Sequence, residues 1–258
     1  MSAKTPSQTR DQTLAGVVAL VTGAASGLGA AIGSAFANAG AVVAIVDANH
    51  DGAEEVADRI SNGGGEALAL SGDVTDRDAV RQWLAVVRAR WSPVTVLVNC
   101  AGIFAPTPAR DLTPEEWQRT LDVNVTGTFN TCQLAGLEML ELRRGSIINL
   151  TSISGVRGFR GRTAYATSKH AVIGLTRVLA CEWAAAGVRV NAIGPGRFNT
   201  PMNVNANLMT EQAFMDRVPM ARFAEPDEIT GTAVFLASEM SSYVTGQVVF
   251  VDGGFLVG

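Results

Sequence analysis

The sequence predicts an α/β fold, a single three-layer domain in which helices cover both faces of a doubly wound parallel sheet. The first observation is that short apolar runs rich in Val, Ile and Leu alternate with longer helical patterns along the 258 residues. The second is that these runs lack polar alternation, which is typical of parallel strands buried on both faces. The third is that no internal repeat, low-complexity segment or linker divides the chain. Such alternation predicts right-handed crossovers between strands.

The predicted elements follow one another in a regular order. Strands are expected at residues 17–22, 42–47, 67–71, 94–99, 146–150, 188–193 and 247–251. Helices are expected at residues 27–39, 52–61, 77–90, 114–141, 164–186 and 227–237. The order is broken between residues 197 and 222, after the sixth strand. Because ligands of open α/β sheets bind at the carboxyl ends of the strands, a long segment there predicts a substrate loop.

Composition narrows the function classes. Hydrophobic residues make up 47% of the chain and charged residues 17%, as in a globular protein with a substantial core. The net charge of −4 offers no basic excess to attract a phosphate backbone, which argues against nucleic-acid binding. No apolar run reaches the ~20 residues that a membrane-spanning helix needs. We therefore expect neither a nucleic acid nor a membrane as a partner.

The cysteines and the amino end carry two further expectations. Cys100, Cys132 and Cys181 are an odd number without metal-like spacing, so we expect reduced thiols, a cytoplasmic protein and no metal site. Residues 1–13 are polar and lack the apolar stretch of a signal peptide. They are predicted to form a disordered tail before one domain at residues 14–258.

A glycine-rich turn follows the first predicted strand. Gly23, Gly27 and Gly29 have the spacing Gly-x3-Gly-x-Gly, with Ser26 and Leu28 between them. Glycines permit a tight turn and the close approach of a diphosphate to the backbone, while the next helix offers N-terminal amides and the positive end of its dipole. Such a turn alone could be structural, but its place at the first strand–helix junction favours dinucleotide binding.

Acidic residues end the second and third predicted strands. Asp47 can accept hydrogen bonds from the ribose hydroxyls of a dinucleotide and would repel a 2′-phosphate. No arginine or lysine occupies the neighbouring positions that would accommodate that phosphate, Ser26, Ala48 and Asn49. NAD is therefore favoured over NADP, although Asp47 could also be a solvated acid at a strand end. Asp73, followed by Val74, is placed to accept from an adenine amino group.

A tyrosine and a lysine lie four residues apart on a predicted helix. Positions i and i+4 lie on one helix face, so Tyr165 and Lys169 project together, and Ser152 lies thirteen residues upstream. Lowering a tyrosine pKa from about 10 to ~7 requires about 4 kcal/mol. A cation ~4 Å away supplies about that much at an effective dielectric constant of ~20. The pair is therefore a candidate acid–base centre, though such spacing also arises by chance.

Together these motifs resemble the short-chain dehydrogenase/reductase family over residues 14–254. The matching motifs, in order, are Thr22-Gly23-x3-Gly27-x-Gly29, Asp73-Val74, Asn99-Cys100-Ala101-Gly102, Asn124, Ser152, Tyr165-x3-Lys169 and Pro195-Gly196. The resemblance implies a Rossmann-type fold, a nicotinamide cofactor, and a Ser-Tyr-Lys active site with a supporting asparagine. It also implies a homotetramer.

The resemblance assigns a role to each active-site position. Tyr165 would be the general acid/base on the substrate oxygen, and Ser152 would hydrogen-bond the same oxygen. Lys169 would lower the tyrosine pKa and hold the nicotinamide ribose. Asn124 would hold a water that extends a proton relay. The cofactor would further meet Asn99, Ala101, Gly102, Pro195, Gly196, Phe198 and Thr200.

Two positions depart from the family pattern. Cys100 replaces the second asparagine of the usual Asn-Asn-Ala-Gly, which puts some hydrogen bonding between strands in doubt, and a buried thiol is expected to be inert. Phe198 stands where relatives usually carry Val or Ile, and its ring could narrow the nicotinamide end of the pocket.

The substrate end of the chain leaves alternatives open. The loop carries apolar side chains that would cover the substrate or pack as an ordinary lid, namely Met202, Val204, Leu208, Met209, Phe214, Met215 and Val218. Arginines near the active site could bind a carboxylate or phosphate, or could form a solvated or subunit-contact surface, and these are Arg157, Arg160, Arg162 and Arg197. An effect of Arg160→Ala on acidic substrates alone would favour anion binding.

We predict an NAD(H)-dependent oxidoreductase that transfers a hydride between nicotinamide and a small secondary alcohol or ketone. One alternative is a 3-oxoacyl-carrier-protein reductase that uses NADPH, although relatives of that kind usually carry a basic residue at the position of Ser26. An alternative from another class is a nucleotide-binding sensor or scaffold without catalysis, since a fold by itself specifies no chemistry.

Overall fold

Seven parallel strands form one sheet in the computed structural model, which describes residues 12–204 and 211–258. The strands are β1 Val18–Thr22, β2 Val42–Asp47, β3 Glu66–Ser71, β4 Val96–Asn99, β5 Gly145–Leu150, β6 Val188–Pro195 and β7 Val248–Val251. Their order across the sheet is β3-β2-β1-β4-β5-β6-β7. This confirms the predicted doubly wound, Rossmann-type fold. The tail predicted for residues 1–13 lies outside the described residues up to residue 11.

Helices cover both faces of the sheet. They are α1 Gly27–Asn38, α2 His50–Asn62, α3 Arg77–Arg90, α4 Pro114–Leu121, α5 Thr128–Leu142, α6 Thr163–Trp183, α7 Pro201–Val204, α8 Glu211–Met215 and α9 Thr230–Ala237. Apolar residues of α1, α2 and α9 pack on one face, and those of α3, α5 and α6 pack on the other. Alternate strand residues supply the two cores, since neighbouring side chains of a strand point to opposite faces.

The strands form where they do because both of their faces are buried. All five residues of β1 are inaccessible to solvent, as are all four of β4. Burying a Val, Leu or Ile side chain stabilises a fold by roughly 1.5–3 kcal/mol, which polar alternation would forfeit. Thr22 at the end of β1 pairs with Asn99 at the end of β4. The chain diverges in opposite directions from these two strands, which opens a crevice at their carboxyl ends.

The helix predicted at residues 114–141 differs from the observed one. A wide π-helical turn at Asp122–Gly127 separates α4 from α5, so the two form one helical stretch with an irregular middle. Helix α4 begins with a capping box, in which Thr113 accepts from the amide of Glu116 and the Glu116 carboxylate accepts from the amide of Thr113. The π-helical turn carries the predicted site residue Asn124, which is fully buried.

The segment after β6 is the predicted substrate loop, and it is not structureless. It contains the short helices α7 and α8, with residues 205–210 between them outside the described part. The side chains of Val204, Leu208 and Met209 are likewise not described. Met202 is exposed, whereas Phe214 and Val218 are buried.

The carboxyl-terminal residues support this loop. Phe255 is fully buried, and its ring stacks on that of Phe214 with centroids 4.9 Å apart. The ring centroid of Phe159 lies 5.7 Å from that of Phe255, and Val218 joins the same cluster. The Asp252 carboxylate accepts from two backbone amides of the residues that follow it, which fixes this turn. No described helix is long and apolar enough to cross a membrane.

Candidate active site and cofactor cleft

The glycine-rich turn brings the backbone close to its neighbours at the end of β1. Gly23 has a φ of +64°, and a Cβ there would lie 2.5 Å from the amide nitrogen of Ala101. A Cβ on Gly29 would overlap the carbonyl oxygen of Gly23. Ser26 precedes α1 without capping it through its side chain. The first amides of the helix therefore remain available to an anion such as a diphosphate.

Asp47 holds this turn at the end of β2. Its Oδ2 accepts a hydrogen bond from the amide of Ala25 at 3.0 Å, and its Oδ1 accepts from the amide of Asn49 at 2.9 Å. A carboxylate has about four acceptor positions, so it keeps capacity for further hydroxyl donors. Asp47 and Ala48 both line the cleft. The arrangement fits the ribose hydroxyls of a dinucleotide.

Asp73 and Val74 line the far end of the cleft, after β3. The amide of Thr75 donates to the Asp73 carboxylate at 2.9 Å and, with the neighbouring Arg119, holds the pKa of Asp73 below its usual value. Arg119 lies 3.4 Å from the same carboxylate. Val74 packs against Gly127 so closely that a Cβ on this glycine would meet it. This contact fastens the segment after β3 to the π-helical turn.

Asn99 lies behind the cleft and not on its wall. Its Nδ2 donates to Oδ1 of Asn149 at 2.9 Å across β4 and β5, and its Oδ1 accepts from Oγ1 of Thr131 at 2.7 Å. This bond between β4 and β5 is made by Asn99, and the loss of strand-bridging hydrogen bonding expected from Cys100 stays a prediction. Burial raises the pKa of the Cys100 thiol to about 12, so the thiol stays protonated and unreactive near neutral pH.

Asn124 also lies behind the wall and holds two segments together. Its Oδ1 accepts from the amide of Ile103 at 2.8 Å, while its Nδ2 donates to the carbonyl of Ile103 and to Oγ of Ser168, each at 3.0 Å. All of its hydrogen-bonding groups are therefore engaged by protein atoms. Asn124 joins the loop after β4 to helix α6, which carries Tyr165. The structure thus shows a positioning role, whereas the water predicted at Asn124 stays a prediction.

Ser152 and Tyr165 meet at the wall of the cleft. Ser152 follows β5 and caps a short 3₁₀ turn by accepting from the amide of Ser154. Burial raises the pKa of the Tyr165 phenol above its usual value, and a hydrogen bond with Ser152 and the charge of Arg162 oppose that rise. The Tyr165 ring lies edge-on to Phe104 with centroids 4.9 Å apart. The phenol is therefore protonated near neutral pH.

Lys169 lies one helical turn beyond Tyr165, as the spacing predicts. Its Nζ is 5.7 Å from the centroid of the Tyr165 ring and donates to the carbonyl of Leu150 at 2.8 Å. Burial lowers the pKa of Lys169 to about 8. Sequence reasoning made Lys169 the charge that lowers the pKa of Tyr165. The charge of Arg162 lowers the pKa of Tyr165, and the Lys169 ammonium donates to the carbonyl of Leu150, so the effect of Lys169 on Tyr165 stays a prediction.

The third side of the cleft is the start of the substrate loop. Pro195 ends β6, and a Cβ on Gly196 would meet Asp252 at 2.8 Å, so the chain turns tightly there. Phe198 is buried and pairs with Ala224 in an isolated bridge. Thr200 lies against Gly27 of the glycine-rich turn. This side therefore closes on the glycine-rich turn.

Nearly all of the predicted site residues share this one cleft. Its walls include Gly23, Ser26, Gly27, Leu28, Gly29, Asp47, Asp73, Val74, Ala101, Gly102, Ser152, Tyr165, Lys169, Pro195, Gly196, Phe198 and Thr200. Asn99 and Asn124 lie behind the walls. Sequence reasoning missed Phe104 and Arg119, which line the cleft. Phe104 follows the Asn-Cys-Ala-Gly motif by two residues, which was an available signal, whereas nothing near Arg119 in the sequence indicated its place.

Similarities to known proteins agree with this geometry. Residues 23–256 match a family model described as enoyl-(acyl carrier protein) reductase. A 3-oxoacyl-[acyl-carrier-protein] reductase of Thermotoga maritima is 40% identical over 185 residues, covering 72% of this chain and 75% of that protein. A D-threitol dehydrogenase of Mycolicibacterium smegmatis is 41% identical over 215 residues, covering 83% of each.

A solved structure extends the likeness to three dimensions. A gluconate 5-dehydrogenase from Burkholderia cenocepacia in complex with NADP and tartrate superimposes with a TM-score of 0.90. It is 34% identical, and the match covers 96% of this chain and 98% of that one. No described cluster of His, Cys, Asp or Glu could hold a metal ion. The chain belongs to the short-chain dehydrogenase/reductase family and is an NAD(P)-dependent oxidoreductase that acts on CH–OH groups.

Proposed function

We propose that this oxidoreductase uses NAD(H) and interconverts a small hydroxylated secondary alcohol and its ketone. The observation that supports NAD is the position of Asp47 on the cleft wall, where the described residues Ser26 and Ala48 that line it nearby carry no positive charge. The basic residues that do line the walls interact with other groups. Arg119 pairs with Asp73, and Arg162 and Lys169 lie near Tyr165. A 2′-phosphate beside Asp47 would meet a like charge without compensation.

The residues around the cleft support a division of roles in this reaction. Bound nicotinamide would accept or supply the hydride. Tyr165 would take the proton from the alcohol oxygen in oxidation and return it in reduction. Ser152 would donate a hydrogen bond to that oxygen and stabilise its developing charge. Lys169 would hold the nicotinamide ribose, and Asn124 would keep α6 in position through its bonds to Ile103 and Ser168.

The 3-oxoacyl-carrier-protein reductase remains a second candidate because the Thermotoga maritima relative carries that activity in its name. The NADP in the gluconate 5-dehydrogenase complex supports the same cofactor alternative. Against it stand Asp47 and the serine at position 26, where relatives of that kind usually carry a basic residue. A D-threitol dehydrogenase of similar identity supports a small polyol-like substrate.

We further propose a cytoplasmic homotetramer, as the family resemblance implies. Support comes from α5 and α6, which expose apolar side chains to solvent in the single chain, among them Leu137 and Val178, each more than half exposed. The three cysteines are unpaired, which fits a reducing compartment. Sedimentation of the purified protein would test the assembly.

The proposed function is tested by turnover of secondary alcohols and ketones with NAD(H) and NADP(H). A panel of polyols, sugar acids and a 3-oxoacyl thioester separates the candidate substrates, and absorbance of the reduced cofactor gives the rate. We expect higher kcat/KM with NAD(H) and loss of activity in Tyr165→Phe. Full activity of Tyr165→Phe would contradict the mechanism. Nucleotide binding without turnover of any compound would favour the sensor or scaffold.

A further inference from the structure

Arg162 is a cation on the cleft wall that no carboxylate of the described residues neutralises. Its Nη1 donates to Oγ of Ser154 at 3.3 Å, which is its one hydrogen bond among the described residues, and its buried Nε has no partner there. Burial and the charge of Arg197 lower the pKa of Arg162, while the neighbouring Tyr165 acts in the opposite direction. A guanidinium has five donors, and leaving a buried charge without a counterion is costly.

Aromatic rings hold this guanidinium in place. The Arg162 Cζ lies 4.9 Å from the ring centroid of Phe159 and 5.2 Å from that of Phe104. Stacking on two rings fixes the planar group and lowers the dielectric constant around it. An anion that reached it would therefore be bound more strongly than at a solvated arginine. No carboxylate among residues 12–204 and 211–258 supplies such an anion.

The position of Arg162 relative to Tyr165 points to the substrate as the source of that anion. Phe104 contacts both, since its centroid lies 4.9 Å from that of Tyr165 and 5.2 Å from Arg162 Cζ. The guanidinium is therefore no more than about 10 Å from the Tyr165 ring. The neighbouring Arg160 is exposed and does not line the cleft. Of the arginines considered from the sequence, Arg162 is the one on the cleft wall.

We propose that Arg162 binds a carboxylate of the substrate, so that the enzyme acts on short hydroxy acids and the corresponding oxo acids. The inference rests on the proposed function, because it assumes that the substrate alcohol meets Tyr165. It deepens that function by assigning the substrate class. Arg197 stacks on Phe214 and Phe223 and adds positive potential from behind.

The test compares hydroxy acids with their neutral primary amides, which keep the size of the carboxylate and remove its charge. Suitable pairs are lactate and lactamide, 3-hydroxybutanoate and its amide, and gluconate and its amide. In the wild type, at least one acid should have a kcat/KM roughly 10- to 100-fold above its amide, as a charged hydrogen bond would give. Arg162→Gln should bring the acid-to-amide ratio of kcat/KM close to one, because any effect of the lost charge on the pKa of Tyr165 is shared by both substrates, and Arg160→Gln should keep the wild-type ratio.

Other outcomes overturn the proposal. Equal losses for acids and amides in Arg162→Gln would make the arginine merely structural. Oxidation of neutral alcohols but of no acid would refute the inference and leave the proposed function standing. Turnover of no compound with either cofactor would refute the proposed function.

A second measurement is independent of turnover and of the variant's folding. Wild-type protein saturated with NAD is titrated calorimetrically with propanoate and with propanamide. Propanoate should bind at least about tenfold more tightly. Equal binding of the two would overturn the carboxylate site even if the enzyme is active.

Discussion

Asp47→Asn separates the two tasks of this carboxylate, which are to fix the glycine-rich turn and to select the cofactor. The asparagine has one acceptor oxygen in place of two. It can still accept from the part-buried amide of Ala25, whereas the amide of Asn49 is exposed and can turn to water. The unfolding free energy should therefore fall by about 1 kcal/mol, the net value of one hydrogen bond. In a domain of this size that lowers Tm by roughly 2–4 °C.

The effect of Asp47→Asn on cofactor binding should be larger than its effect on stability. Loss of a charged acceptor for the ribose hydroxyls should weaken the binding of NADH by about 1.5–3 kcal/mol, which lowers kcat/KM for NADH by roughly 10- to 150-fold. Removing the negative charge should at the same time improve the binding of NADPH. A like charge ~4 Å from the 2′-phosphate costs about 4 kcal/mol at an effective dielectric constant of ~20. The ratio of kcat/KM for NADH to kcat/KM for NADPH should thus fall by more than about 100-fold.

The assay is reduction of one ketone at a series of NADH and NADPH concentrations, with Tm measured on the cofactor-free protein. Asp58→Asn is the matched control, because Asp58 is an exposed acid on α2 outside the cleft. It should leave both the ratio and Tm unchanged. An unchanged cofactor ratio in Asp47→Asn would refute the assignment of Asp47 as the selector, whatever happens to Tm.

Three further perturbations test the electrostatics and the backbone of the site. The pKa of Lys169 is about 8 in the folded protein and 10.5 for an exposed lysine, so the unfolded chain binds more protons between these pH values. The free energy of unfolding of the wild type should therefore rise with pH in this interval, by up to about 3 kcal/mol. Chemical denaturation at pH 7.5 and 10 should show this rise in the wild type and no such rise in Lys169→Met. Ser152→Ala removes a hydrogen bond that lowers the pKa of Tyr165, so the rise of kcat/KM for oxidation should move to higher pH, and an unmoved profile would contradict this role. Gly29→Ala should abolish cofactor binding measured by calorimetry, since its Cβ has no room, whereas Gly174→Ala in α6 meets no atom within 4 Å and should be neutral or slightly stabilising.

The sequence indicates those features that depend on short stretches of chain. The spacing of Tyr165 and Lys169 needs only one helix, and the glycine-rich turn needs only one strand–helix junction. Both could be placed without knowing the rest of the fold. The predicted strands also agree with the observed ones within two residues at each end, since buried apolar runs are local patterns.

Features that join distant segments could not be predicted in this way. The bond between Asn99 and Asn149 spans 50 residues of sequence, and the pair of Asp73 and Arg119 spans 46. Periodicity also treats residues 114–141 as one helix, because a π-helical turn shifts the register without interrupting the helical pattern. The lowering of the Lys169 pKa by burial likewise depends on walls that several elements contribute.

The buried ring of Phe255 has a practical consequence for work with this protein. Deleting the last four residues would remove the surface on which Phe214 stacks, and the loop after β6 would lose its support while the sheet stayed intact. A shortened chain could therefore fold and bind nucleotide yet discriminate poorly among substrates. A bulky fusion placed directly after Gly258, which lies against Pro219, would disturb the same contacts. Affinity tags for kinetic work therefore belong at the amino end.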